Sequence, residues 1–222
     1  MLKFLRRQKK RKVLVFGLDC APPAVLFNTG DENELGLKDQ LPNLSRLVDE
    51  GIYGPLSSSI PCITVPAWTS MLASKDPGVL GFYGFRNRAD HSYDRMNIAT
   101  GSAIHEPRVW DVLGEAGKTS VVVGVPQTYP IKPLNGYLIS SFLTPNTDRQ
   151  YTFPNELRYE IDRVLGGATY DVDVPQFRTE DKDFLLKQIQ EMTEKRFKVI
   201  DHLIREKAWD FFMFVEIGLD RI

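Results

Sequence analysis

Two apolar runs near opposite ends of the chain finish on the same three residues. Val13-Leu14-Val15-Phe16 runs into Gly17-Leu18-Asp19, and Phe211-Phe212-Met213-Phe214-Val215-Glu216-Ile217 runs into Gly218-Leu219-Asp220. Short apolar runs of this kind, rich in β-branched or aromatic residues, read as strands buried in a parallel sheet. Parallel strands need crossover connections, usually helical, so the pair points to an α/β fold. Open sheets of this class place their ligands at the carboxyl ends of the strands, where Asp19 and Asp220 fall. Two acidic residues there, with a hydroxyl at a nearby helix start, make a metal and phosphate site.

The hydroxyl is in Ile60-Pro61-Cys62-Ile63-Thr64-Val65-Pro66-Ala67-Trp68-Thr69-Ser70-Met71-Leu72. This stretch reads as a short extended segment that turns straight into a helix. Pro66 suits a first helical turn, because its missing N–H has no partner there. Residues Ala67 to Ser74 hold no Gly or Pro and continue the helix. Thr64 is thereby expected just before a helix N-terminus, toward which free N–H groups and the positive end of the dipole point. A hydroxyl so placed can attack a phosphorus or sulfur centre while backbone donors meet the developing anion. The competing reading is a plain N-cap or strand-end residue, since Thr is common at helix starts. The two strand-end carboxylates shift the balance toward chemistry.

The rest of the chain alternates helix and strand. Leu41 to Gly51 reads as a helix with Leu44, Leu47 and Val48 apolar and Gly51 as its stop. Gly54 to Ser59 is expected to lead back to the sheet edge, and Asp76-Pro77-Gly78 to end the helix after Thr64. Gly81 to Asp94 is either a packed surface loop or a substrate-facing one, in which Phe82, Tyr83 and Phe85 stack and Arg86 and Arg88 hold phosphate. Glu106 to Gly117 reads as a helix with Val109, Trp110 and Leu113 inward. Strands follow at Thr119–Val125 and Tyr137–Phe142, then a polar loop (Thr144–Phe153) and a helix over Pro154–Leu165. Gly166 to Arg178 is irregular and acidic, as in a lid or cap. Asp183 to Ala208 is the longest helix, striped by Leu185, Ile189, Met192, Phe197, Ile200, Leu203 and Ile204. His91 and His105 read as surface residues and His202 as structural or solvated, since none shows metal-ligand spacing.

Composition narrows the function classes. The 222 residues are 42% hydrophobic and 26% charged, which suits one globular domain with a sizeable core. The net charge of −1 gives no bulk attraction to nucleic acid or membrane. No stretch approaches the ~20 apolar residues of a membrane span. Cys20 and Cys62 are too few for a disulfide scaffold and read as small, reduced, buried thiols. Residues 1–12 carry seven Lys/Arg and no acid and read as a basic flexible tail. They lack a signal-peptide core, so the expected location is cytoplasmic. Asn28 to Asp39 reads as an acidic surface insertion.

Taken together, the strand ending in Asp19, the Thr64-Val65-Pro66 turn and Phe214-Val215-Glu216-Ile217-Gly218-Leu219-Asp220 resemble the type I phosphodiesterase/nucleotide pyrophosphatase branch of the alkaline phosphatase superfamily. Val123-Gly124-Val125-Pro126-Gln127-Thr128-Tyr129-Pro130 and Gly136-Tyr137-Leu138-Ile139-Ser140 resemble its prokaryotic members. The resemblance spans residues 13–222 and implies an alkaline phosphatase-like three-layer sandwich with a mostly parallel sheet. It implies two divalent metals, zinc or else manganese. Asp19 would ligate one together with the nucleophile Thr64, and Asp220 the other. The implied reaction is hydrolysis of a phosphodiester or nucleotide pyrophosphate bond in a small-molecule substrate, through a phosphothreonine.

Two departures accompany the resemblance. Ala67 stands where members often carry an Asn that contacts the transferred group. The histidines expected after Asp220 fall beyond Ile222, so the catalytic domain is expected to be C-terminally incomplete. A sulfatase would want Cys or Ser followed by x-Pro-x-Arg, whereas Thr64 and Trp68 hold those positions. A dinucleotide-binding oxidoreductase would want G-x-G-x-x-G after the first strand, which Gly17 to Pro22 does not supply. A phosphomutase of the same superfamily and a non-catalytic metal- or phosphate-binding domain are the remaining alternatives.

Overall fold

The first apolar run and the last lie side by side. The computed structural model describes residues 11–27, 36–90 and 92–222. The basic tail up to residue 10, most of the acidic insertion (28–35) and His91 lie outside the described residues. Strand β1 (Val13–Leu18) is followed by the one-turn helix α1 (Pro23–Leu26) and by α2 (Pro42–Glu50). Helix α3 (Thr64–Ala73) and the one-turn α4 (Pro77–Leu80) lead to the hairpin β2 (Arg86–Arg88) and β3 (Met96–Ile98). Then come α5 (Val109–Glu115), β4 (Ser120–Val123), β5 (Gly136–Ile139), β6 (Thr152–Phe153), α6 (Leu157–Val164), α7 (Lys182–Glu206) and β7 (Phe211–Glu216).

The main sheet has the order β1-β7-β4-β5-β6. Its first three pairings are parallel, and β6 adds an antiparallel edge. Alternation along the strands sorts the core into two layers. Val121, Val123, Ile139, Phe212 and Phe214 face α6 and α7, meeting Leu157, Ile161, Val199, Ile200 and Leu203. Val122, Leu138, Phe211, Met213 and Val215 face α3 and α5, meeting Trp68, Leu72 and Trp110. This is the expected three-layer sandwich.

Register positions the site. Leu18 pairs with Glu216, so the carboxyl ends of β1 and β7 are level. The Asp19 N–H donates to the Glu216 carbonyl at 3.0 Å and extends the ladder by one residue. Residues from opposite ends of the sequence thus meet at one end of the sheet.

Several expectations are corrected. Strand β1 is parallel but not buried. Among the described residues it has one strand neighbour, and Val13, Leu14 and Phe16 are 52%, 53% and 51% exposed. Both cysteines are free and exposed rather than buried. Helix α3 ends at Ala73, with Ser74 in the left-handed region, and Asp76 instead caps α4 by accepting the Val79 N–H at 3.0 Å. Residues Gly54 to Ser59 join no strand ladder; they reach Thr64 as an irregular, largely exposed segment. The segment 166–178 is irregular as expected but is no loose lid, since Tyr170, Val172 and Val174 are buried. Part of Gly81–Asp94 is ordered as β2, paired with Met96–Ile98.

Candidate functional site

Helix α3 starts at Thr64 itself, after the extended Ile63. Thr64 is therefore the first helical residue rather than the one before it. Pro66 has no N–H, and the Ala67 N–H is used on the Ile63 carbonyl (2.9 Å). The Thr64 and Val65 N–H groups are the donors this first turn can offer an anion. Val65 is fully buried with Phe82, Ala99 and Ile104, which anchors the turn. One turn on, the single Thr69 O–H has two acceptors within reach, the Val65 carbonyl (2.7 Å) and the amide oxygen of buried Gln127.

Trp68 connects the helix to the sheet. It follows Thr64 by four residues, on the same helix face. Its indole N–H donates to Asp19 Oδ1 at 3.2 Å. The close approach requires Gly17, where a Cβ would overlap the Trp68 ring. Asp19, 7% exposed, keeps its other oxygen, Oδ2, buried and without a hydrogen-bond partner. Burial raises the Asp19 carboxyl above its ordinary pKa; the Trp68 N–H opposes this, and the Asp220 charge adds to it.

Asp220 is presented by the turn after β7. Glu216, the last residue of that strand, is buried and shapes the turn by accepting the Gly218 N–H (2.8 Å) and the Thr193 hydroxyl (3.1 Å). Its second oxygen accepts from the buried Arg196 at 3.2 Å. Both Asp220 oxygens are engaged. The Cys20 thiol donates to Oδ1 at 2.9 Å, and Arg221 Nη1 donates to Oδ2. Partial desolvation of the sulfur, although the residue is exposed, with Asp220 as acceptor and neighbouring charge, pushes the Cys20 thiol up to about 12.

The three expected residues thus come from elements gathered at one sheet end. Asp19 and Asp220 interact electrostatically, and Trp68, one helical turn after Thr64, bonds Asp19. Among the described residues, no group of three or more His, Cys, Asp and Glu side chains is arranged to hold a metal ion. The donor set nevertheless suits a cation: hard carboxylate oxygens, one of them an orphan in a buried position where an unpaired charge is costly. His202 is engaged with Glu160 (2.7 Å), and His105 is exposed. Sequence reasoning missed Cys20, Arg221 and Asp173 as part of the site, and it weighed Trp68 only as a missing Arg. The one available signal was the four-residue spacing of Thr64 and Trp68.

The chain matches the family model for type I phosphodiesterase / nucleotide pyrophosphatase over residues 13–222. It is 29% identical over 124 residues to the N-acetylgalactosamine-6-sulfatase of Canis lupus familiaris, a match covering 50% of this chain and 24% of that protein. Its fold resembles the phosphonoacetate hydrolase of Sinorhizobium meliloti 1021. For the complex with phosphonoformate the TM-score is 0.61 at 17% identity, covering 95% of this chain and 47% of that one. For the complex with phosphonoacetate the TM-score is 0.58 at 16% identity, with the same coverage. The chain spans about half the length of that hydrolase and about a quarter of the sulfatase. Among the described residues no helix is long and apolar enough to cross a membrane.

Proposed function

The chain belongs to the type I phosphodiesterase/nucleotide pyrophosphatase family, and on that premise we propose that it is the part of a metal-dependent phosphoesterase that carries the nucleophile Thr64 and the ligands Asp19 and Asp220. The observation that supports this most is the orphaned, buried Asp19 Oδ2, next to Asp220 and linked through Trp68 to the helix turn that bears Thr64. The substrate class is a small phosphodiester or nucleotide pyrophosphate.

In this reading the Thr64 oxygen attacks phosphorus, the ester oxygen leaves with its electron pair, and a phosphothreonine forms; water then cleaves it and restores the hydroxyl. Two divalent cations, zinc or manganese, would shield the phosphoryl charge and lower the pKa of the attacking hydroxyl and water. The chain's own residues supply the geometry. The Thr64 and Val65 N–H groups meet the phosphoryl oxygens. Trp68 fixes Asp19 relative to Thr64, and the Glu216 turn fixes Asp220. Ala67 provides no side-chain donor, so the contact that Asn makes in many members falls to the backbone here.

Hydrolysis of bis-p-nitrophenyl phosphate with added zinc or manganese tests the reading. Thr64→Ala should lower turnover by on the order of 10⁴-fold or more, as removal of a nucleophile does elsewhere. Turnover of the mutant at the wild-type rate would overturn Thr64 as nucleophile.

A further inference from the structure

Arg221 is a buried cation at an otherwise acidic site. Its side chain is 7% exposed, and its guanidinium lies between the rings of Phe142 (5.3 Å) and Phe177 (4.6 Å). Arg221 Nε and Nη2 fork onto Asp173 Oδ1 (2.7 Å) and Oδ2 (3.0 Å). The third nitrogen, Nη1, donates to Asp220 Oδ2. A buried guanidinium needs one well-placed carboxylate, and Asp173 supplies it in the bidentate geometry that Arg favours. The bond to Asp220 is then a further one, made by a donor that the fork has already aimed.

The fork is itself held rigid. Asp173 Oδ1 also accepts the Val174 N–H at 2.8 Å, which fixes the carboxylate's rotamer. Its neighbours Val172 and Val174 are buried. On the other side Phe85, at the base of the β2–β3 hairpin, packs edge-on against Phe142 (6.0 Å). The Asp220 carboxylate is therefore oriented by a chain of fixed groups contributed by three separate segments.

Resting on the reading of Asp19 and Asp220 as metal ligands, we propose that Asp173 and Arg221 are positioning residues for the metal site: Asp173 aims the guanidinium, and the guanidinium holds Asp220 by Oδ2, which leaves Oδ1, here the acceptor of the Cys20 thiol, as the oxygen that would be offered to a cation. Two carboxylates, Asp173 and Asp220, bond this one guanidinium, and Asp19 lies within reach of its charge, so the negative charge here exceeds the positive. Removing outer partners of ligating carboxylates typically costs 10–100-fold in metal affinity.

Cobalt(II) is a suitable probe, because its visible absorption reports ligand geometry and its binding is measured by titration without turnover. The wild-type chain, Asp173→Asn, Arg221→Lys and Asp220→Asn are compared far below their melting temperatures. Asp173→Asn and Arg221→Lys should each weaken cobalt binding by about 10–100-fold and alter the absorption band of the loaded protein. A purely structural role would lower the melting temperature while leaving affinity and spectrum unchanged, and that result overturns the proposal. Arg221→Lys keeps the charge but not the fork, so it decides the matter if Asp173→Asn does not fold. Failure of the wild type to bind cobalt, or an unaltered affinity in Asp220→Asn, overturns the metal reading itself. Loss in Asp220→Asn with wild-type behaviour in the other two overturns only the positioning role.

Discussion

Asp19 and Asp220 sit at the same level of the sheet but are held in opposite ways. Asp19 follows an edge strand whose outer residues are half exposed, and its carboxylate is held by the Trp68 indole N–H with help from the Cys20 backbone N–H. Asp220 follows a strand that is buried along its whole length, and it is braced by the Arg196–Glu216 pair and by Arg221. The difference separates two kinds of dependence. Asp19 is bonded to Trp68 of α3, the helix that begins at Thr64. Asp220 follows the central strand, whose last residue Glu216 is held by Thr193 and Arg196 of α7.

The largest expected effect strikes the Asp220 side. Arg196→Leu leaves Glu216 buried without its cation, and should cost about 3–5 kcal/mol in urea unfolding. A loss below ~1 kcal/mol would show that the central side is no better braced than the edge. Next is Gly17→Ala. The new methyl meets the Trp68 ring and, at 3.0 Å, Val215; overpacking of this kind costs about 1–3 kcal/mol. Trp68 fluorescence should shift as the ring is displaced, whereas an unchanged spectrum with full stability would refute the close approach.

Trp68→Phe keeps an aromatic ring and removes the donor, and should cost about 1.5 kcal/mol, as for a hydrogen bond to a charged group. It also sharpens the comparison through pH. The folded-state pKa of Asp19 lies above its unfolded value, so its contribution to stability is full at low pH and is lost as pH rises through the folded pKa. Removing the Trp68 N–H raises that pKa further. The stability gained on acidification, measured relative to Asp19→Asn, should therefore be larger in Trp68→Phe than in the wild type. The smallest effect is chemical. With its thiol pushed up to about 12, Cys20 should alkylate slowly at pH 8 although it is exposed, and Asp220→Asn should accelerate the reaction. Equal rates in the two proteins would remove the Cys20–Asp220 contact from the account.

What the sequence made legible was local. The bounds of β1 match the first apolar run, and β7 covers most of the last, because a strand's apolar pattern is written in adjacent residues. Thr64 at a helix start followed from Pro66 and the uninterrupted stretch after it. The apolar pattern did not distinguish an edge strand from a central one: Val13 and Phe212 look alike in sequence, but only strand order decides which is covered. The partners of the site were hidden for the same reason. Trp68 reaches Asp19 across 49 residues, Arg221 reaches Asp173 across 48, and Cys20 reaches Asp220 across 200. Residues 166–178, irregular and acidic, suggested a lid, yet this segment supplies the buried Tyr170 and the clamp residue Asp173.

The central claim is that Thr64 is the nucleophile, and peptide mass mapping after an acid quench tests it most directly. Bis-p-nitrophenyl phosphate, with zinc or manganese present, should lose one p-nitrophenolate and leave a p-nitrophenyl phosphoryl group on the peptide that contains Thr64. The adduct should be absent from Thr64→Ala. Nitrophenolate release with no adduct on that peptide, or with the adduct on another residue in both proteins, would contradict the account.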